Sequence, residues 1–114
     1  MTDKEKGYLG EEIAAEFLQS KGFEILERNY VTRGGELDII AKDGETLVFV
    51  EVKTRKNSKY GYASEFVDYR KQEKIRKAAM YFIKSYDADM RFDVIEVYHS
   101  GASVTEINHI EDAF

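Results

Sequence analysis

Apolar positions along the chain fall into two periods, and the order in which those periods alternate predicts an architecture. Leu9, Ile13, Ala14, Phe17 and Leu18 lie three or four residues apart, one stripe of a helix over residues 3–21 stopped by Gly22. Glu11 falls beside Leu18 at one border of that stripe and Glu16 beside Leu9 at the other, so either carboxylate can reach inward from the rim. Residues 23–27 read as a short first strand, closed by Gly34-Gly35.

The next segment switches to a period of two. The runs ELDIIA and TLVFVEVKT flank Lys42-Asp43-Gly44-Glu45, and Asp-Gly between alternating runs marks a hairpin. A two-residue turn on Asp43-Gly44 pairs Lys42 with Glu45 and sets Asp38 opposite Phe49. Leu37, Ile39, Ala41, Val48, Val50 and Val52 then share one apolar face, expected to be the core side. Glu36, Asp38, Ile40, Leu47, Phe49, Glu51 and Lys53 share the other, apolar beside the turn and charged at the far end. Asp38 and Glu51 become diagonal neighbours, Glu36 stands opposite Glu51, and Lys53 follows one step along the same side.

A loop over residues 55–63 leads to a second helix over about residues 66–86, with Ile75, Ala78, Ala79, Phe82 and Ile83 as its buried face. Gln72 projects from within that apolar arc, whereas Arg70, Lys74, Lys77, Tyr81 and Lys84 form a basic stripe opposite. Strands at residues 92–98 and 103–107, separated by His99-Ser100-Gly101, complete the order α-β-β-β-α-β-β. This is an α/β fold with a central mixed β-sheet flanked by helices. No proline, repeat or low-complexity stretch marks a boundary, and 114 residues suffice for a single domain, residues 1–114.

Composition narrows the chemistry. The hydrophobic share of 43% and the charged share of 34% are those of a soluble globular protein. No apolar run approaches the roughly 20 residues of a membrane span, and the start, MTDKEKGYLG, lacks a signal peptide's apolar stretch, so the expectation is a cytoplasmic protein with no membrane contact. The absence of cysteine excludes disulfides, thiolate nucleophiles and cysteine-bound metals. His99 and His109, the only imidazoles, read as surface or strand-end residues. A metal would sit mainly on oxygen ligands, which suits magnesium or manganese.

A net charge of −5 argues against a protein that coats DNA, because nonspecific binding neutralises phosphates. The charge is unevenly placed, however. Nine basic residues against three acids lie between Lys53 and Lys77, a local +6 that leaves −11 for the remainder. Within this block Arg55, Lys56, Lys59, Arg70, Lys71, Lys74 and Lys77 are the candidate nucleic-acid contacts, a rim directly after the acidic strand motif. A solvated helix face accounts for the same charges.

Carboxylates crowded at one end of a sheet face repel and resist joint ionisation, and a divalent cation offsets both. Magnesium uses few carboxylates, keeps waters and completes its shell with phosphate oxygens. Asp38 and Glu51 are therefore candidate ligands, with Lys53 placed to orient water or counter charge on a phosphodiester. The bland reading of the same residues is a solvated salt-bridged patch.

The combination LGEEIAAEFL, GFEILERNY, GGELDIIA, LVFVEVKTR, VDYRKQEKIRKAAMYFI and RFDVIEV resembles, nearly end to end and in order, the YraN-like family of small bacterial proteins. That family is placed in the PD-(D/E)xK, restriction-endonuclease-like superfamily, with archaeal Holliday junction resolvases as relatives. The resemblance implies metal ligands at Asp38 and Glu51, a catalytic lysine at Lys53, and a further catalytic and metal-binding acid at Glu11. It thereby selects Glu11 over Glu16. Leu37 stands where the superfamily's name has proline, and Gln72, followed by Arg76 where some branches have tyrosine, is at most an auxiliary residue alongside Glu36.

The expectation is thus a magnesium- or manganese-dependent endonuclease acting on nucleic acid, DNA in the first instance and branched or processed DNA in particular. The alternative is a non-catalytic nucleic-acid-binding or partner-recruiting module that keeps the fold. Resolvase-like enzymes act as dimers, but no residue pattern here marks a homodimer. A third reading makes Tyr60, Tyr62 and Tyr69 a protein interface.

Overall fold

The computed structural model describes residues 2–56, 67–83 and 89–114. Its elements are α1 (Asp3–Ser20), β1 (Glu24–Val31), β2 (Glu36–Asp43), β3 (Thr46–Lys56), α2 (Tyr69–Ile83), β4 (Asp89–Ser100) and β5 (Ser103–Ile110). This is the expected order, α-β-β-β-α-β-β. None of the described helices is long and apolar enough to cross a membrane.

Local signals account for the helix ends. Thr2 caps α1 by accepting the Glu5 N–H at 3.2 Å while the Glu5 carboxylate reaches back to the Thr2 N–H, a capping box that satisfies two of the donors a helix start leaves unpaired. The helix ends at Lys21, and Gly22 turns the chain with φ +92°. Asp68 caps the start of α2, its carboxylate accepting the Lys71 N–H at 2.9 Å. α2 therefore begins at Tyr69, later than the period alone predicts. Positions 66 and 84–86 of the expected helix lie outside the described residues.

The five strands lie in chain order, β1-β2-β3-β4-β5. β3 and β4 run parallel and every other pair is antiparallel, so the sheet is mixed. The connection between parallel strands carries α2 across one face, and α1 covers the other. Ile39, Ala41, Val48, Val50, Ile95 and Val97 meet Ala14, Ala15 and Leu18 of α1. On the opposite face Ile40, Leu47, Phe49, Phe92 and Val94 meet Ile75, Ala78 and Ala79 of α2.

Several expectations change in detail. The hairpin turns on Gly44-Glu45, not Asp43-Gly44: Gly44 takes the positive φ (+61°) that favours glycine, and Asp43 pairs with Thr46. The register thus slips by two, which changes partners and leaves faces intact. The face expected to be apolar only beside the turn is a second core, because α2 lies on it. Leu37 joins that second core rather than the first, where alternation placed it, at the end of β2 that no longer pairs with β3. β1 is longer than expected, runs to Val31, and carries an irregularity between Ile25 and Glu27. β4 runs from Asp89 to Ser100, and β5 starts at Ser103 as expected but continues to Ile110, so the tight turn falls on Gly101-Ala102.

His109 is not a surface residue. Its side chain is 3% exposed and its Nε2 lies 2.7 Å from Asp93 Oδ2, while Lys21 Nζ stands 2.7 Å from its Nδ1. Asp93 is fully buried and also takes both arms of the Arg91 guanidinium and the Asp112 N–H. Burial alone would raise this carboxyl, but the hydrogen bonds from His109 and Arg91 outweigh burial and hold it below its ordinary value. His99 is a strand-end residue as expected, turned to the Gly101 carbonyl.

The centre of the second core is Phe49, fully buried, stacked on Phe92 and edge-on to Phe82. Phe49→Ala should lower the unfolding free energy by about 3–5 kcal/mol, read as a shift of the urea midpoint at unchanged slope. Met80→Ala, at a position 56% exposed on α2, should move it by about 0.5 kcal/mol or less.

Candidate functional site

Pairing between β2 and β3 ends at Ile39 and Val50, whereas β2 stays paired with β1 as far as Glu36. At this fork the Asp38 carboxylate takes over the role of a strand carbonyl and accepts the Val52 N–H at 2.8 Å. Glu51, the residue between, is 5% exposed and faces α2, where the Lys71 ammonium meets its Oε1 at 3.0 Å. α1 supplies Glu11 to the same spot, hydrogen-bonded to Asp38. The Asn29 amide, oriented so that its nitrogen donates, reaches both Glu11 oxygens at 2.9 and 3.3 Å. Asn29 holds a left-handed backbone (φ +51°), which asparagine tolerates better than most residues, and this turns its side chain out of the β1 ladder.

Burial governs the charge states. Desolvation, then the Asp38 charge, lifts the Glu11 carboxyl to about 7, and its shared hydrogen bond makes Glu11 the proton donor and Asp38 the acceptor. Desolvation likewise raises Asp38, against the Val52 N–H and the Lys71 charge, which lower it. Glu51 is raised by burial and then by Asp38, with Lys71 and Lys53 opposing. The Lys71 ammonium is raised because the pull of Glu51 outweighs the desolvation that lowers it. Glu36 is exposed at the rim, and its charge acts on both Asp38 and Lys71.

The four acids do not contribute equally. Asp38 and Glu51 meet in one cleft with Glu36 at its rim, Glu11 joins through Asp38, and the wheel's other candidate, Glu16, is exposed. Lys53 lies two residues beyond Glu51 on β3, half-buried, and lowers Glu51 through its charge. Asp38, Glu51, Glu36 and Lys71 line an open cleft of about 320 Å³ between the β1–β2 turn and α2. One wall is bare backbone: a Cβ on Gly35 would fall 2.6 Å from the Lys74 carbonyl oxygen, so the turn lies flat on the helix. Among the described residues no three acids or imidazoles close around one point as a ready cage for a metal ion.

The basic block is dispersed rather than gathered into one rim. Lys71 and Lys74 border the cleft, Lys77 packs beside Gly34, and Lys56 and Arg70 are exposed. Arg55 is turned into the sheet, its Nε 3.6 Å from Glu96 Oε2. Gln72 is held away from the acids, donating to the Val67 carbonyl at 2.8 Å and lining a separate small cavity with Glu96. Lys59, Tyr60 and Tyr62 lie outside the described residues, and Tyr69 is 71% exposed. Asn29 escaped the pattern, because it lies beyond the strand read at residues 23–27, and Lys71, read as a nucleic-acid contact, carried no signal as the partner of Glu51.

Titration of Glu11 sets a sign for stability. Its folded value, about 7, lies above the ordinary 4.5, so the folded chain holds this proton more tightly between those values. The resulting stability is present below about pH 4.5 and is lost as pH rises to about 7. Asp38 and Glu51, raised as well, act in the same direction, while the lowered Asp93 acts below its ordinary 3.8. Melting temperature in metal-free buffer should fall between about pH 5 and about pH 8. Glu11→Gln should flatten that fall and melt above wild type at the alkaline end; parallel profiles would show that Glu11 is not the titrating group.

Comparison with known proteins gives the chain's family. The model of the uncharacterised protein family UPF0102 matches residues 10–97, a span that contains Glu11, Asp38, Glu51, Lys53 and Lys71. A UPF0102 protein of Caldicellulosiruptor saccharolyticus is 48% identical over the whole of both chains. One of Geotalea daltonii is 50% identical over 98% of this chain and 91% of its own, and one of Clostridioides difficile is 48% identical over the whole of both. The chain belongs to the UPF0102 family, the YraN-like group whose motifs it carries.

Proposed function

We propose that this chain is a metal-dependent nuclease of the restriction-endonuclease-like, PD-(D/E)xK class, hydrolysing phosphodiester bonds in DNA, with branched or processed DNA as the favoured form. The observation that carries this reading is the strand fork. It brings an aspartate and a glutamate from neighbouring strands to one desolvated cleft, with a lysine two residues beyond the glutamate.

The donor set fits magnesium or manganese better than it fits a cage-bound ion. Magnesium is typically held by one or two carboxylates and completes its shell with water and phosphate oxygens, so a pair suffices where the described residues form no three-ligand cluster. Asp38 and Glu51 would hold the ion. When bound, it supplies Lewis-acid stabilisation of charge developing on the phosphodiester and a more acidic water.

The chain's own residues do the rest. Val52 N–H fixes the Asp38 carboxylate through Oδ2. Glu11, carrying a proton near neutral pH, acts through Asp38 and orients it, and Asn29 fixes Glu11 in turn. Lys53 places positive charge beside Glu51, where a scissile phosphate would lie. Lys74 lines the cleft on α2 and suits a neighbouring phosphate.

A second reading, a binding module without turnover, draws on the fact that Lys71 already neutralises Glu51. A cleavage screen over single-stranded, duplex, flap and four-way DNA, with magnesium or manganese, separates the two. The nuclease reading expects metal-dependent cleavage that Asp38→Ala or Lys53→Ala lowers by roughly 10²-fold or more. Cleavage unchanged in both variants overturns it. DNA binding that is lost on replacing Arg70, Lys74 and Lys77 but kept in Asp38→Ala, with no cleavage of any form, favours the module.

A further inference from the structure

Glu51 is 5% exposed, yet its partner Lys71 is 47% exposed, so the ion pair joins a fixed, buried acid to a cation at the mouth of the cleft. The anchor of that cation is rigid. Asp68 accepts the Lys71 N–H from its carboxylate and the Gln72 N–H from its carbonyl, which fixes the first turn of α2. The ammonium, by contrast, rides on a flexible four-carbon stem and leaves or reaches the acids without any movement of the helix. Its charge falls on all three acids of the cleft, Glu51, Asp38 and Glu36. The acid pair assigned to the metal is therefore neutralised by a half-exposed cation on a flexible stem, 3.0 Å from Glu51.

We propose that Lys71 is a tethered cation that holds the place of the divalent ion at the Asp38–Glu51 pair and is exchanged for it. In the metal-free protein Lys71 neutralises the buried acids. When the metal enters, Lys71 leaves Glu51 and turns outward beside Lys74, where it is placed to contact a phosphate of the bound strand. The exchange is ionic and makes or breaks no covalent bond. It rests on the reading of Asp38 and Glu51 as metal ligands.

The test is calorimetric titration of manganese chloride into the intact chain without nucleic acid, comparing wild type with Lys71→Met, which keeps the stem and removes the charge. Removing one cation beside the ligands should tighten manganese binding by about tenfold or more. Lys74→Met, one helical turn on, should change it far less, which separates place-holding from general charge. Equal affinity in wild type and Lys71→Met, weaker binding in Lys71→Met, or equal tightening in Lys74→Met each overturns the exchange while leaving the metal site standing. Binding in none of the three chains overturns both the exchange and the metal reading of the site.

A second measurement uses the unaltered chain and so does not depend on how the variant folds. In side-chain NMR spectra, the Lys71 Cε resonance should shift on adding magnesium while that of Lys77 stays in place. Magnesium binding detected at Asp38 with no movement of the Lys71 signal would overturn the proposal.

Discussion

Strand β3 is covered on both faces, and most of the molecule follows from that constraint. Val48 and Val50 are sealed by α1, and Leu47 and Phe49 by α2, so the first half of the strand has no place for a charge. Polarity begins at Glu51, beside the first turn of α2, where the helical cover gives way to a cleft. Pairing with β2 ends at the same level. The backbone N–H of Val52 would be left without a strand acceptor, and Asp38 supplies one from its side chain. The acids meet where they do because the sheet opens on one side and the core stops on the other.

Such an arrangement has a cost that the surrounding groups are placed to offset. Three carboxyls raised by burial within one small region oppose folding unless protons or cations accompany them. Glu11 carries a proton, Asp38 takes a backbone donor, and Glu51 takes Lys71, so each acid is compensated differently. Asp93, on the opposite face of the sheet, shows how a purely structural carboxylate is treated. It is fully buried and receives four hydrogen bonds that leave its oxygens saturated. The acids of the cleft differ from Asp93 in lining solvent-accessible space and in being raised rather than lowered.

Element order, the hairpin, the shared face of Asp38 and Glu51 and the buried stripe of α2 were all legible in the residue pattern, because each depends on local periodicity. Partners were less legible. Asp43-Gly44-Glu45 offers two adjacent two-residue turns, and choosing the other moved Asp38 from a place opposite Phe49 toward one opposite Glu51 without changing its face. That α2 covers the hairpin's second face, making it a core, depends on which way the crossover runs, which no strand pattern encodes. Lys71 and Glu51, twenty residues apart, meet only through that crossover. His109 does stand at a strand end, but its burial was missed for a related reason. An imidazole near the C-terminus looks exposed until Asp93 and Lys21 are brought beside it.

The flat contact between the β1–β2 turn and α2 bears on how the cleft can vary. Gly34 leaves room only for the Lys77 side chain, and Gly35 brings main chain against main chain at Lys74. At Gly35 the contact is with the Lys74 main chain, so there no side-chain tip can rotate aside to widen the gap. Substitutions around the rim therefore retune its charge while the aperture stays set by two backbones in contact.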